Sequence, residues 1–168
     1  MSSIEDASVY LFSDQEWPAF RELAGAHVGL QRGLDLGEKM LHCFEDLSQQ
    51  GHERKLIVGS DSPTLPPENL RAGLDLLRDV DTVLGPCEDG GYYAVGCRSP
   101  HEGMFDEVSW STARTLAETE CAFERAGLTS GRLPTWYDID TIENLRRLVS
   151  EGNLSDHTRR WLDENPGL

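Results

Sequence analysis

The chain has 168 residues and a formal net charge of −15, with 30 Asp and Glu against 15 Lys and Arg. That length suits one domain with its own core, and the ordinary apolar content excludes a disordered chain. The acidity argues against nucleic-acid binding through a broad basic surface. No apolar run is long enough to cross a membrane.

Residues 7–12, Ala-Ser-Val-Tyr-Leu-Phe, are a short apolar, β-prone run and read as a strand. Trp17, Phe20 and Leu23 recur at helical spacing after Asp14, which predicts a short helix, and residues 27–30 read as a second strand. Asp35 then opens a helical run with Leu36, Met40, Leu41, Phe44 and Leu47 on one face. Asp35 is the expected N-cap, Glu38 is placed for a reciprocal bond, and Gly51 is the expected stop.

Residues 55–59 read as a fully buried strand, apolar between polar flanks. Pro66, Pro67 and Glu68 begin a helix with Leu70, Leu74 and Leu77 along one face. Residues 81–84 and 92–96 are two more strands, joined through Gly85-Pro86 and Gly90-Gly91. A long helix is expected over 111–126, capped by Ser109 or Ser111, with Leu116 and Phe123 inward. Residues 128–133 read as a strand, Thr141 starts a helix, and 155–162 form a last surface helix.

Strands alternating with helices imply an open, mostly parallel sheet covered on both faces, in a single domain over 1–168 with its core at 7–150 and a helical tail at 151–168. In such sheets ligands sit beyond the C-terminal strand ends, and the polar clusters of this chain follow strand ends. Gly59-Ser60-Asp61-Ser62-Pro63 follows the strand at 55–59. Asp61 there either reaches a hard cation such as magnesium, manganese or calcium, or caps the following turn.

Glu88-Asp89-Gly90-Gly91-Tyr92-Tyr93 places two carboxylates beside two glycines that let a ligand approach the backbone. Glu88 and Asp89 are candidates to bind a metal, orient a hydroxyl or act as a base, and the same residues also spell an acidic turn. Asp138 and Asp140 alternate along an extended segment and so present two carboxylates to one side. Asp140 or Thr141 is also a candidate cap for the next helix, with Glu143 assisting. Ser109, Trp110, Ser111 and Thr112 stand at a helix start, where free amides favour an anion. Trp110 reads as a core residue or as a stacking platform for a sugar or base.

The order of these clusters is more specific than any one of them. Together with Gly33-Leu34-Asp35-Leu36-Gly37-Glu38-Lys39-Met40, it resembles the small bacterial GT-A-type glycosyltransferases associated with arsenosugar biosynthesis, within the nucleotide-diphospho-sugar transferase superfamily. The resemblance runs from about residue 9 to 148 and implies a three-layer α/β/α sandwich.

By it, Asp61 matches a metal-binding carboxylate, Glu88 to Gly91 an acceptor-side loop carrying the base, and Asp140, with Asp138, a second acidic group near the metal. Gly59, Ser60, Gly90, Gly91, Tyr92, Trp110, Ser111 and Thr112 are then expected to line the substrate. The implied reaction moves a glycosyl group from a nucleotide-sugar to a small-molecule acceptor, or a nucleotidyl group to a phosphorylated one. The alternative is a remnant that binds a ligand or partner without turnover.

Mg²⁺ or Mn²⁺ is the expected cofactor, because a cation screens a diphosphate from an acidic protein. Four cysteines without a CxxC pair, and residues 1–6 without the basic and apolar regions of a secretory leader, lead us to expect reduced thiols and a cytoplasmic protein.

Members of that family begin with a strand, a loop carrying glycine and Lys-Thr-Arg-Leu, and a helix. Nothing before Val9 matches that piece, and no Lys or Arg precedes Arg21. The chain is therefore expected to be truncated at this point. If Met1 is the true start, residues 9–12 and 55–59 are expected either to pair directly or to leave an open edge at which a homodimer forms.

Overall fold

The computed structural model describes residues 7–16, 26–152 and 154–165. Strand β1 (Val9–Ser13) pairs in parallel with β2 (Ala26–Leu30) as a two-stranded sheet of its own. The helix expected around Trp17, Phe20 and Leu23 lies outside the described residues.

Helix α1 (Leu36–Gln49) follows, then β3 (Lys55–Val58), α2 (Pro67–Leu76), β4 (Thr82–Pro86), β5 (Tyr92–Cys97), a 3-10 turn at Glu102–Phe105 and α3 (Thr115–Arg125). Strand β6 (Ser130–Arg132) and helices α4 (Ile142–Glu151) and α5 (Asp156–Glu164) complete the order.

The second sheet runs β3-β5-β4-β6. β4 and β6 are parallel, and β5 lies antiparallel to both β3 and β4. β3, β4 and β6 therefore point the same way, with β5 inserted against them. The apolar side chains gather in two clusters. Leu84, Val95 and Cys97 join Met40 and Phe44 of α1 and Phe123 of α3, with Ile57 packed on them. Ala94 joins Tyr93, Cys87 and Leu133, with Leu56 and with Ala72 and Leu76 of α2 packed on that cluster. The result is helices α1 and α3 on one face of the sheet and α2 on the other.

Local chemistry explains the boundaries. Asp35 caps α1, its Oδ1 accepting from the Glu38 amide at 2.9 Å. Glu38 reaches back to the amide of Leu34 at 2.7 Å, one residue before the expected partner. The capping box of α4 is formed by Thr141 and Asn144, which leaves Asp140 free of that duty.

Two sequence expectations need correction. The helix expected from 111 begins at Thr115, and neither Ser109 nor Ser111 caps it. Ser111 has a φ of 57°, in the left-handed region, and this breaks the helical path before Thr115. β3 was expected to be fully buried; Leu56 and Ile57 are half-buried and Val58 is exposed. Among the described residues β3 pairs only with β5, and β1 pairs with β2 instead of β3.

β3 starts at a buried lysine. Lys55 Nζ donates to Ser48 Oγ at 2.9 Å, to the His52 carbonyl at 3.0 Å and to the Arg98 carbonyl. Three acceptors satisfy its donors, while burial holds its pKa below the ordinary lysine value.

Candidate active site

Because β3, β4 and β6 share a direction, their C-terminal ends lie at one end of the sheet, and the acidic clusters follow those ends. Gly59 continues β3, donating its amide to the Tyr93 carbonyl at 2.9 Å. Asp61 folds back over it. A Cβ at position 59 would stand 2.7 Å from Asp61 Oδ1, so glycine there makes room for the carboxylate.

The Asp61 carbonyl accepts from the amide of Ile139 at 2.9 Å. Ile139 lies between Asp138 and Asp140, so this one bond sets both beside Asp61. Carboxylate oxygens of Asp61, Asp138 and Asp140 lie within 4.8 Å of one another.

A parallel run beyond β4 and β6 brings in the next segment. Trp136 donates its amide to the Pro86 carbonyl at 3.0 Å and Glu88 donates to the Trp136 carbonyl at 3.1 Å. Cys87 Sγ and oxygens of Asp89 and Asp138 then also lie within 4.8 Å of one another. Asp138 belongs to both groups. Burial, followed by repulsion from Asp89 and Asp140, raises its pKa above the ordinary aspartate value. Burial, with Asp138 next in size, pushes up the Cys87 thiol.

Gly90 and Gly91 shape the loop. Gly90 has a φ of 93°, and its carbonyl accepts from the Leu116 amide at 2.9 Å. Asp89 Oδ1 accepts from the Gly91 amide at 2.8 Å. Asp89 thus closes a turn and lies beside Asp138 at once.

Glu88 has a different environment. Arg147 Nη1 donates to its two oxygens at 3.0 and 2.9 Å. Arg147 Nε donates to Glu151 at 3.1 Å, and the Tyr137 hydroxyl donates to Glu151 at 2.6 Å.

The remaining expected residues divide by burial. Tyr92 and Trp110 pack their rings against the first core cluster, and Trp110 lies 5.9 Å from Phe105. Those faces serve packing, the core reading of Trp110. Ser111 and Thr112 form the turn before α3, with Thr112 Oγ1 donating to the Ser109 carbonyl at 3.2 Å. Several amides around this turn are engaged: Ser109 donates to Glu118 Oε2 at 2.6 Å, Thr112 to Thr115 Oγ1 at 3.3 Å, and Leu116 to the Gly90 carbonyl. Ser60 is exposed beside Asp61. A separate concavity of about 420 Å³ lies between β1–β2 and the end of α1, and none of these carboxylates lines it.

Residues 3–112 match a protein family described as "Uncharacterized protein conserved in bacteria (DUF2064)". The chain belongs to that family. Among the solved structures similar to this DUF2064 chain is that of a "putative nucleotide-diphospho-sugar transferase" from Desulfovibrio desulfuricans G20, with 31% identity and a TM-score of 0.83. The likeness covers 95% of this chain and 74% of that one. The fold is therefore of the nucleotide-diphospho-sugar transferase type. No curated protein matches the chain.

Replacing Asp138 by Asn tests the crowding of the carboxylates. Its folded-state pKa is raised, so the folded chain binds this proton more tightly than the unfolded one. Stability from this group is present at low pH and is lost as pH rises from the ordinary aspartate range through the folded value. The Asn variant is expected to be more stable than the parent at pH 7 in urea unfolding without metal. The gain should shrink as the pH falls. A variant less stable than the parent at pH 7 would contradict the assignment.

Proposed function

We propose that this chain is a GT-A-type transferase that moves a glycosyl group from a nucleotide-sugar donor to a small-molecule acceptor with Mg²⁺ or Mn²⁺. By its motif order, arsenosugar assembly is the setting. The observation that carries the reading is the convergence of Asp61, Asp138 and Asp140 at one end of the sheet. Three carboxylate oxygens are a donor set for hard divalent cations, so the residues fit the group.

A cation held there would neutralise the charge that builds on the departing diphosphate. The chain's own residues supply the rest. Asp61 and Asp140 hold negative charge where the donor's diphosphate must be bridged, and Asp89 is the base toward the acceptor hydroxyl. Glu88 is the weaker candidate for the base, because its carboxylate is held by Arg147. Ser60, exposed beside Asp61, offers polar groups to the substrate, while the backbone of Gly90 and Gly91 is bonded within its own loop and serves to shape it.

The test is a donor screen of UDP-, GDP- and CDP-sugars and of nucleoside triphosphates, with Mn²⁺ and with Mg²⁺. The expected result is cation-dependent release of a nucleoside diphosphate from a sugar nucleotide. Pyrophosphate release from a triphosphate would replace glycosyl transfer with nucleotidyl transfer. Neither product, with no ligand-induced stabilisation, would leave a domain that does not turn over nucleotides.

A further inference from the structure

We propose that Arg147 is a positioning residue that sets Asp89 against Asp138. The inference rests on the reading that these carboxylates are the working site. An exposed ion pair contributes little by itself, and Arg147 is partly exposed. Its arrangement is more constrained than such a pair. The guanidinium carbon lies 3.7 Å from the centre of the Tyr137 ring. Nη1 engages both oxygens of Glu88, and Nε engages Glu151.

The ring beneath it is fixed. Tyr137 is buried, and its hydroxyl donates to Glu151 at 2.6 Å and accepts from Thr64 Oγ1 at 3.3 Å. One planar group is thereby fastened to helix α4, to the loop after β4 and to the segment after β6. The two residues it grips outside α4 each stand next to a carboxylate of the site: Glu88 before Asp89, and Tyr137 before Asp138. Fixing the two neighbours fixes the separation of the two carboxylates.

Only arginine provides this set of contacts. Its planar fork stacks and hydrogen-bonds in two directions, whereas a lysine ammonium is a point charge on a flexible stem. The charge on Glu88 is consumed in the same contact, which makes Glu88 part of the clamp.

The test compares the parent chain with Arg147→Met, Arg147→Lys and Glu88→Gln. The measurements are Mn²⁺ titration by calorimetry, the electron spin resonance of bound Mn²⁺, and amide exchange at Glu88, Gly91 and Ile139. Urea unfolding runs alongside. Arg147→Met is expected to weaken Mn²⁺ binding about tenfold, alter the Mn²⁺ spectrum and speed exchange at the three amides, with little change in the urea midpoint. Arg147→Lys should recover part of each loss.

Unchanged Mn²⁺ affinity and exchange in Arg147→Met would overturn the inference. Should the parent bind no Mn²⁺, the transferase reading falls, and amide exchange alone decides the clamp: faster exchange sustains it and unchanged exchange removes it. Should Arg147→Met fail to fold, Glu88→Gln, which leaves the arginine on Tyr137, is held to the same outcomes.

Discussion

Asp61→Ala is expected to abolish the stabilisation that Mn²⁺ gives the parent chain. A ligand that binds only the folded form, at a hundred times its dissociation constant, adds about 2.7 kcal/mol. For a domain of this size that corresponds to a rise of about 5–10 °C in Tm. Asp61 is exposed and carries one of three converging carboxylates. Its removal should leave the metal-free Tm close to the parent value, because no core contact is lost. The Mn²⁺ increment should fall to nearly zero. Thermal melts with and without Mn²⁺ read both numbers, and a full increment in the variant would remove Asp61 from the site.

The second large effect is expected at Gly90. Both Gly90 and Gly127 lie in the left-handed region, with φ of 93° and 70°. A Cβ on Gly127 would meet nothing, whereas a Cβ on Gly90 would run into the backbone of Ala113. Gly127→Ala should therefore cost about 1 kcal/mol, the backbone strain alone. Gly90→Ala adds overpacking and should cost about 3 kcal/mol in total. It should also weaken Mn²⁺ binding, since Asp89 precedes this turn. Equal urea midpoints for the two variants would contradict the packing described for the loop before α3.

Much of this architecture is legible in the residue order because local chemistry and tertiary packing agree. β1, β2, α2, β5, α4 and α5 fall close to where periodicity and end signals put them. Asp35 caps α1 as its position predicts. Agreement fails where a distant contact overrides a local signal. Ser109 and Ser111 both look like caps, but the Gly90 carbonyl takes the Leu116 amide and Ser111 turns left-handed, so α3 starts later. Strand β3 has the apolar run of a central strand, yet burial depends on what lies beside it, which no run of residues records.

The site divides in the same way. Asp61, Asp89, Asp138 and Asp140 announce themselves by following strand ends and by spacing. Cys87 is hidden from that reasoning, because it contacts Asp138 only through the parallel run of 86–88 beside 136–138. Arg147 is half visible: its i, i+4 partner Glu151 can be read along α4, but Glu88, 59 residues away, comes within reach only when the chain is folded.

The most direct test of the cation site is anomalous diffraction at the manganese edge from crystals soaked in Mn²⁺. The account predicts one strong peak about 2.1 Å from oxygens of Asp61, Asp138 and Asp140. Crystals that bind Mn²⁺ elsewhere, or show no peak among these carboxylates, would contradict it.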